Sequence, residues 1–451
     1  MSESLKSQDL QARVAAAITH HKAGRFKEAE LAYNKILHIF PDFLDVIQNL
    51  GVIAAATGRL DEAIQRFERA IKIDPLYPPA LWNVANALRD SGRLEEAIKA
   101  YQRVIFVEPE HYNAARSLGF IWNSLGRQDR ALDYFSRTLD LRRGENRFGK
   151  PDLTLVQTTR AKLEHDINQF RYLASIKRDG ERFDSLARAY ENTKNKIKWP
   201  KDEHEIYPLA NEEIEWFGGS YNFPNHVIDA AEHTQGTVNQ KLNVDEISKL
   251  YSVSSPGLVW FDNLLTEEAL LRLQNFLLGS TVWFDFSHIK GFLAAYLEDG
   301  LACPLLLQIA EEIRKTFPQI LGKHSLIQAW AFKGISGDKP IGVHVDDASV
   351  SINFWVTPDH SNDNPESGGL EIYKQAPPGD WKITNYDDDS EPIKKFLVDH
   401  EDQKIIVPYK ENRAVLFDSR LFHGSNAPRF KSGYINHRIN ITMLFGKKTK
   451  M

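Results

Sequence analysis

Two histidines and one aspartate in the C-terminal half have the residue types and the spacing of metal ligands. His344 and Asp346 lie two residues apart in GVHVDD, so an extended backbone projects both side chains to the same face. His423 follows in SRLFHGS, shortly after the apolar run RAVLF. Two imidazoles and one carboxylate on one side of a metal ion leave about three coordination positions open, which is the ligand set of non-haem iron(II) sites. We therefore predict a metal site at His344, Asp346 and His423.

A competing His-x-Asp motif occurs at His400-Glu401-Asp402. A chain with 15 histidines contains about one such spacing by chance. The competing motif lies in a polar stretch just before His423, with no strand-rich segment between them, so we interpret it as a solvated loop. We also predict structural roles for His360, in the polar loop DHSNDN, and for His437, which points away from its neighbour Arg438.

A polar row follows the metal motif near the C-terminus. Arg438, Asn440 and Thr442 alternate along RINITMLF and therefore share one face of a predicted strand. A buried arginine without a partner is costly, so this row requires one. The partner is either a structural Asp or Glu, or the carboxylate of a ligand, which a guanidinium can hold with two hydrogen bonds. Taken together with the histidines, the row favours the ligand.

These motifs resemble a known family when they are taken in order. His-x-Asp, then SGGLEIY, then a distal histidine and a strand arginine resemble the 2-oxoglutarate-dependent iron(II) oxygenases. AFKGISGDKPIGVHVDD and SGGL are similar to the prolyl-hydroxylase-like branch, over roughly residues 250–446. The resemblance implies a double-stranded β-helix, or jelly roll. Its substrate loops differ among members, so proline specificity is not implied.

The resemblance also implies roles for individual residues. His344, Asp346 and His423 would hold iron(II), and Arg438 would bind the far carboxylate of the cosubstrate 2-oxoglutarate, with assistance from Asn440. Dioxygen would be the other reactant, and a C–H bond of the substrate would be hydroxylated. Because related halogenases replace the carboxylate with a small residue, the presence of Asp346 favours hydroxylation.

The first third of the chain repeats with a period of 34 residues. Each unit has a glycine that closes a turn, a small alanine, an aromatic residue and a proline that ends a helix. The glycines are Gly24, Gly58, Gly92 and Gly126, and the prolines are Pro41, Pro75 and Pro109, until Arg143 replaces the fourth. The pattern resembles the tetratricopeptide repeat, in four units over about residues 10–143.

Two interpretations of the repeats remain open. Asn49 and Asn83 occupy equivalent positions, and Asn86 lies one turn after Asn83, so these repeats resemble those of O-linked N-acetylglucosamine transferases, in which such asparagines hold a peptide. The concave face would then bind a protein or peptide. Alternatively, the repeats are a scaffold that braces the chain or forms a homodimer.

The fold class we predict is multidomain. An all-α tetratricopeptide-repeat solenoid at 1–145 precedes a helical cap and linker at 146–200, and a jelly roll with flanking helices occupies 201–451. The predicted strands are short alternating runs after Leu321, and the predicted helices precede them. The strands cover residues 326–332, 350–356, 370–373, 404–409, 413–417 and 438–445, and the helices cover 152–178, 183–194, 266–278 and 304–317.

Composition limits the partners and the location. The net charge is −5, with 56 basic against 61 acidic residues, so we expect neither nucleic acid nor membrane as a partner. Cys303 is the only cysteine, which excludes an internal disulfide and a cysteine-rich zinc site. The N-terminus lacks the apolar core of a secretion signal, and no apolar stretch is long enough to span a membrane. We expect a cytoplasmic protein.

Two other function classes are compatible with the residues. The first is a non-catalytic repeat adaptor whose jelly roll keeps a vestigial metal site. The second is a metal hydrolase, because two histidines and a carboxylate also form catalytic zinc sites. The acidic insertion at 374–403 belongs to no motif; it is either a lid or a solvated loop, and we expect the loop.

Overall fold

The structure is a computed structural model that describes residues 3–149, 152–176, 179–287, 290–335, 340–378, 381 and 391–447. The chain divides into two compact units, Met1–Ile121 and Trp122–Met451.

The first unit is built of antiparallel helix pairs with the period expected from the sequence. Gly58 and Gly92 adopt a φ of 80°, which lets the turn between the two helices of a pair close. The alanine and the aromatic residue of each repeat are fully buried where the helices meet, as at Ala63 and Phe67. The helices are α1 (Glu3–Lys22), α2 (Phe26–Ile39), α3 (Leu44–Ala56), α4 (Leu60–Ile73), α5 (Pro78–Asp90), α6 (Leu94–Val107) and the first part of α7 (Tyr112–Ser124).

The division between the units falls inside the predicted fourth repeat. Its second helix, α8 (Gln128–Arg143), lies in the second unit. Arg143, at the position where earlier repeats have proline, donates from Nε to Oδ1 of Asp299 at 2.9 Å and from Nη2 to Oδ2 at 2.5 Å. Both side chains are buried, so a desolvated ion pair joins α8 to the segment around Asp299 within the second unit. The ranges 1–145, 146–200 and 201–451 stay a prediction.

The second unit contains antiparallel β-sheets. Within the described residues, one sheet has six strands in the order β3-β9-β6-β11-β5-β4, and another has three in the order β10-β7-β8. A short β1-β2 pair precedes them. The strands are β1 (Gln157–Thr158), β2 (Tyr207–Pro208), β3 (Leu258–Phe261), β4 (Phe292–Tyr296), β5 (Leu326–Gly334), β6 (Val350–Trp355), β7 (Leu370–Tyr373), β8 (Lys404–Val407), β9 (Ala414–Asp418), β10 (His423–Ser425) and β11 (Ile439–Phe445).

The two larger sheets share a hydrophobic core. Trp355 and Phe417 of the six-stranded sheet pack in one cluster with Leu370 and Ile372 of the three-stranded sheet. Alternation places these side chains on the inner faces of both sheets. The predicted strands after the repeats are confirmed, and they pair into antiparallel sheets. All six are present, each within a few residues of its predicted bounds, whereas β1, β2, β3, β4 and β10 were not predicted.

Helices flank the sheets. Thr266 caps α13 by accepting a hydrogen bond from the backbone of Ala269, and Pro304 occupies the first turn of α14, as helix starts prefer. The helical spacing at 152–178 corresponds to a helix only from Arg160, because a 3-10 turn and β1 come first. The helices are α9 (Arg160–Ile176), α10 (Gly180–Lys196), α11 (Asn211–Glu215), α12 (Val244–Val253), α13 (Glu267–Gly279), α14 (Pro304–Thr316), α15 (Pro318–Leu321) and α16 (Glu391–Asp399). No helix in the described ranges is long and apolar enough to cross a membrane.

A buried charged cluster joins α9 to the six-stranded sheet. Lys333 on β5 is completely buried, and within the described part of the chain its Nζ has no hydrogen-bond partner. That nitrogen lies 3.5 Å from the centroid of the Tyr434 ring. Lys162 and Asp166 of α9 form a buried ion pair nearby, and the pKa of Lys333 is lowered well below its usual value because burial disfavours the charged amine.

Replacing Lys333 with methionine tests this cluster. Between the lowered pKa of Lys333 in the folded chain and its usual pKa, the amine is protonated in the unfolded chain but neutral in the folded chain. The free energy of unfolding of the wild type therefore rises with pH in this range, by up to about 1.4 kcal/mol per pH unit. Lys333→Met removes this slope, so the free energy of unfolding of the variant, relative to that of the wild type, decreases as pH rises. Unfolding of both full-length proteins should be followed from pH 6 to 9. A stability difference that does not change with pH would contradict the assignment of a neutral Lys333.

Candidate metal centre

Backbone pairing brings the two predicted histidine ligands together. The N–H of His344 donates to the carbonyl of His423, and the N–H of His423 donates to the carbonyl of His344, both at 2.8 Å. This antiparallel bridge extends the three-stranded sheet, in which His423 also pairs with Ile372. The centroids of the two imidazole rings are consequently 4.4 Å apart. The bridge joins two sequence segments that are far apart in the chain.

Each imidazole is oriented by a backbone carbonyl. Nδ1 of His344 lies 2.9 Å from the carbonyl of Gly342, and Nδ1 of His423 lies 3.0 Å from that of Leu421. Because a carbonyl only accepts, each Nδ1 carries the proton, and each Nε2 keeps a lone pair for a metal. Burial lowers the pKa of His423 to about 4, so this ring is neutral near pH 7.

Asp346 completes the group. Its Oδ2 lies 3.5 Å from Nε2 of His423, and its Oδ1 lies 4.0 Å from Nε2 of His344. The ligand atoms of the three residues all lie within 4.8 Å of one another, and no other such group of histidine, cysteine or acidic residues occurs in the described ranges. Asp346 and His423 are buried, and His344 is partly open. The structure thus brings the three predicted residues together with a donor set that fits a divalent metal, while metal binding itself stays a prediction.

Arg438 lies in the same cavity and is held by two hydrogen bonds. Its Nε donates to the carbonyl of Gly368 at 2.7 Å, and its Nη1 donates to Oδ1 of Asn440 at 2.7 Å. Gly368, in the SGGL motif, has a φ of 75°, and a Cβ there would collide with the ring of Phe430, which accounts for the glycine. No carboxylate of the described residues pairs with Arg438. Burial lowers its pKa to about 10, so the guanidinium is still charged near pH 7.

A cavity lies between Arg438 and the metal group, which is the name used below for His344, Asp346 and His423. Its lining contains apolar side chains and two polar side chains whose hydrogen bonds are incomplete. Phe332, Ile341 and Leu370 are apolar residues of its lining. Asn353 and Trp330, on the two strands that flank β11, also line it. Within the described residues, Oδ1 of Asn353 and Nε1 of Trp330 are buried without hydrogen-bond partners. Such atoms are costly unless a ligand or water satisfies them. The alternation of side chains along β5 and β6 could have indicated from the sequence that Trp330 and Asn353 face this cavity.

The acidic insertion packs beside the metal group. Its described part contains α16, whose Ile393 and Phe396 are buried against Val345 and Phe422. These two partners are sequence neighbours of the predicted ligands. The expectation of a solvated loop is therefore wrong for Glu391–Asp399. The acidic run at 387–389 lies outside the described residues.

None of the other histidines singled out from the sequence belongs to the group formed by His344, Asp346 and His423. His400, in the competing motif, donates from Nδ1 to the carbonyl of Phe396 at 2.8 Å and stacks on that ring, so the interpretation as a solvated loop is wrong for this residue. His360 is exposed in a 3-10 turn. His437 lies near His165, with ring centroids 6.5 Å apart, in the cluster around Lys333.

Comparisons with known proteins bear on the first unit. A family model described as tetratricopeptide repeat matches residues 20–88 and 54–119. The chain contains tetratricopeptide repeats. No curated protein matches the sequence.

Solved structures that match the chain have low identity to it. A mutant of the Thermobaculum terrenum O-GlcNAc transferase is 23% identical, and the match covers 31% of this chain and 28% of that chain, with a TM-score of 0.27. A MamA protein is 17% identical over 44% of this chain and 99% of its own, with a TM-score of 0.29. The first TPR of Spaghetti (RPAP3), bound to the HSP90 peptide SRMEEVD, is 24% identical over 27% of this chain and 95% of its own, with a TM-score of 0.26.

The asparagines of the repeats differ in their surroundings. Asn49 and Asn83 are half-buried. Oδ1 of Asn86 accepts a hydrogen bond from the hydroxyl of Tyr101 at 2.6 Å, so this side chain joins α5 to α6. Asn86 therefore has a role inside its own repeat.

Variants of the two His-x-Asp motifs test the metal group. Loss of a residue that hydrogen-bonds to a metal ligand typically weakens metal binding about 10- to 100-fold. Loss of the ligand itself should weaken Mn(II) binding by more than that. His344→Ala should therefore lose measurable binding, whereas His400→Ala should bind as the wild type does. Electron paramagnetic resonance of free Mn(II) provides the measurement. Equal affinities of His344→Ala and the wild type would contradict the assignment.

Proposed function

We propose that this protein is a 2-oxoglutarate- and iron(II)-dependent dioxygenase, specifically a hydroxylase, whose tetratricopeptide repeats bind a protein or peptide. The cosubstrates are 2-oxoglutarate and dioxygen. We further propose that the two larger sheets form a double-stranded β-helix, an assignment supported by their antiparallel pairing and their shared core.

The observation that carries the proposal is a buried, charged Arg438 without a carboxylate partner in the described residues, in one cavity with His344, Asp346 and His423. An uncompensated buried cation is expensive, and a bound anion compensates for it. A ligand with one carboxylate for the guanidinium and a metal-binding group at its other end satisfies both halves of the cavity. 2-Oxoglutarate has that bifunctional chemistry.

The hydrogen bonds of Arg438 fix how it receives a carboxylate. A guanidinium has five N–H groups, and Gly368 and Asn440 accept from two of them. Three remain on Nη1 and Nη2, enough for a two-pronged grip on the far carboxylate. The two existing bonds hold the planar group in place, so little rotational freedom is lost when the ligand binds.

The two histidines and Asp346 would hold iron(II). Each ring has its proton on Nδ1, where a backbone carbonyl accepts it. Nε2 of His344 and Nε2 of His423 therefore have lone pairs with which to bind a metal. Iron(II), when bound, supplies the oxidising chemistry in which dioxygen and 2-oxoglutarate become succinate, carbon dioxide and one oxygen atom inserted into a C–H bond. The apolar walls from Phe332, Ile341 and Leu370 exclude water from the reacting C–H bond.

The contents of the cavity favour this reaction over metal-assisted hydrolysis. Among the described residues that line it, Asp346 is the only acidic side chain, so no second carboxylate is present to act as general base. Hydrolysis does not by itself require a buried arginine, whereas 2-oxoglutarate brings a carboxylate that Arg438 can bind. The adaptor alternative predicts no turnover of 2-oxoglutarate and is separated from the dioxygenase by that measurement.

The repeats support a polypeptide substrate or partner. Tetratricopeptide repeats generally bind proteins or peptides in the groove of stacked helices. A tethered binding unit raises the local concentration of a substrate at a neighbouring site. The reaction would then modify a protein captured by the first unit.

Anaerobic addition of iron(II) and 2-oxoglutarate tests the cosubstrate site. The wild type should develop a visible metal-to-ligand charge-transfer band, and Arg438→Ala should need about 10- to 100-fold more 2-oxoglutarate, because charge-assisted hydrogen bonds are lost. Arg171→Ala is the matched control, since Arg171 is an exposed arginine paired with Glu191 on the surface of α9 and α10. Absence of the band in folded, iron-loaded wild type would overturn the dioxygenase proposal and favour the adaptor.

A further inference from the structure

A chain of two buried hydroxyl groups leads to the carboxylate of Asp346. Oγ of Ser351 donates to Oδ2 of Asp346 at 2.6 Å. Oγ of Ser419 lies 2.8 Å from Oγ of Ser351. Both serines are completely buried. Neither was singled out as a functional residue from the sequence, although Ser419 begins the SRLFHGS motif and Ser351 lies in VSINFWV.

The direction of this chain follows from the contact with Asp346. The hydroxyl of Ser351 donates its one proton to Oδ2 of Asp346. Ser351 can then only accept from Ser419, and the hydroxyl of Ser419 donates to it. A donor that itself accepts a hydrogen bond is a stronger donor, so Ser419 strengthens the bond from Ser351 to Asp346.

The backbone around this chain is held on several sides. Ser351 lies on β6, opposite Leu444 of β11 and Phe417 of β9, so its strand is paired on both edges. The N–H of Asp346 donates to the carbonyl of Ser419 at 3.1 Å. The segment that carries the first histidine and the aspartate is thereby attached to the segment that leads to His423. These contacts fix the position of the hydroxyl groups beside Asp346.

The two oxygens of Asp346 differ in their hydrogen bonds. Oδ2 accepts from Ser351 and lies 3.5 Å from Nε2 of His423, whereas Oδ1 accepts no hydrogen bond from the described residues and lies 4.0 Å from Nε2 of His344. A carboxylate that bound through both oxygens would fill an additional coordination position. Three open positions are needed when a chelating cosubstrate and dioxygen bind together.

We propose that Ser351, supported by Ser419, is a positioning residue that restricts Asp346 to metal binding through one oxygen and so preserves the third open position. This inference rests on the proposed function, because it requires a metal at His344, Asp346 and His423. Loss of the Ser351 hydroxyl frees Oδ2, and the carboxylate then chelates the metal.

The number of exchangeable waters on bound Mn(II) tests this role in the full-length protein. Water-proton relaxation should report about three waters for the wild type and one fewer for Ser351→Ala. After addition of 2-oxoglutarate, the wild type should keep one water and Ser351→Ala none. Ser419→Ala, which keeps the contact between Ser351 and Asp346, should give an intermediate average. Thermal unfolding establishes that each variant is folded.

Ser280→Ala is the matched control. Ser280 is also completely buried, and its Oγ accepts from the backbone of Ile228 at 3.0 Å, away from the metal group. It should leave the water count unchanged. Equal counts in the wild type, Ser351→Ala and Ser419→Ala would overturn the positioning role while leaving the metal site intact. No Mn(II) binding by the wild type would overturn the inference together with the proposed function, so the two failures are distinguishable.

Discussion

Taking a guanidinium out of water costs several kcal/mol unless hydrogen bonds and an opposite charge replace the lost hydration. Arg438 makes these hydrogen bonds, because it donates to the carbonyl of Gly368 and to Oδ1 of Asn440, but it has no opposite charge among the described residues. Position 368 requires glycine because a Cβ there would collide with the ring of Phe430. Asn440 can accept from Arg438 because the two residues share one face of the strand. The proposed 2-oxoglutarate would supply the missing opposite charge from outside the chain.

The second arrangement in the unit with the sheets is the backbone bridge between His344 and His423. It unites two segments that contribute different ligands, and carbonyl groups then fix both imidazole rings. The hydroxyl chain through Ser351 attaches the third ligand to the same framework. Main-chain or buried polar contacts thus hold each of the three predicted ligands. Such contacts would lower the cost of binding a metal.

The sequence predicts part of this architecture because its periodicities are local. The 34-residue repeat locates the helices of the first unit, and alternation locates β5, β6 and β11 closely. β10 has only three residues and depends on pairing with β7, so no local pattern indicates it. The packing of α16 was missed because its apolar residues follow an acidic run. Ser351 and Asn353 share a face that alternation does reveal, but their partners come from distant segments.

The repeats and the metal group differ in what supports them. The tetratricopeptide repeats follow from a periodic sequence and a matching family model. The metal group follows from the geometry of His344, Asp346 and His423 and from the buried charge of Arg438. The proposed hydroxylation of a captured polypeptide would unite the two, since the first unit would select the substrate and the second would oxidise it.

The most direct measurement is an anaerobic crystal structure with Mn(II) and 2-oxoglutarate, with anomalous scattering recorded to locate the metal. We expect one strong anomalous peak bound by Nε2 of His344, Nε2 of His423 and one oxygen of Asp346. We also expect the far carboxylate of 2-oxoglutarate on Nη1 and Nη2 of Arg438. Metal at a different place, or 2-oxoglutarate bound away from Arg438, would contradict the proposed cosubstrate site.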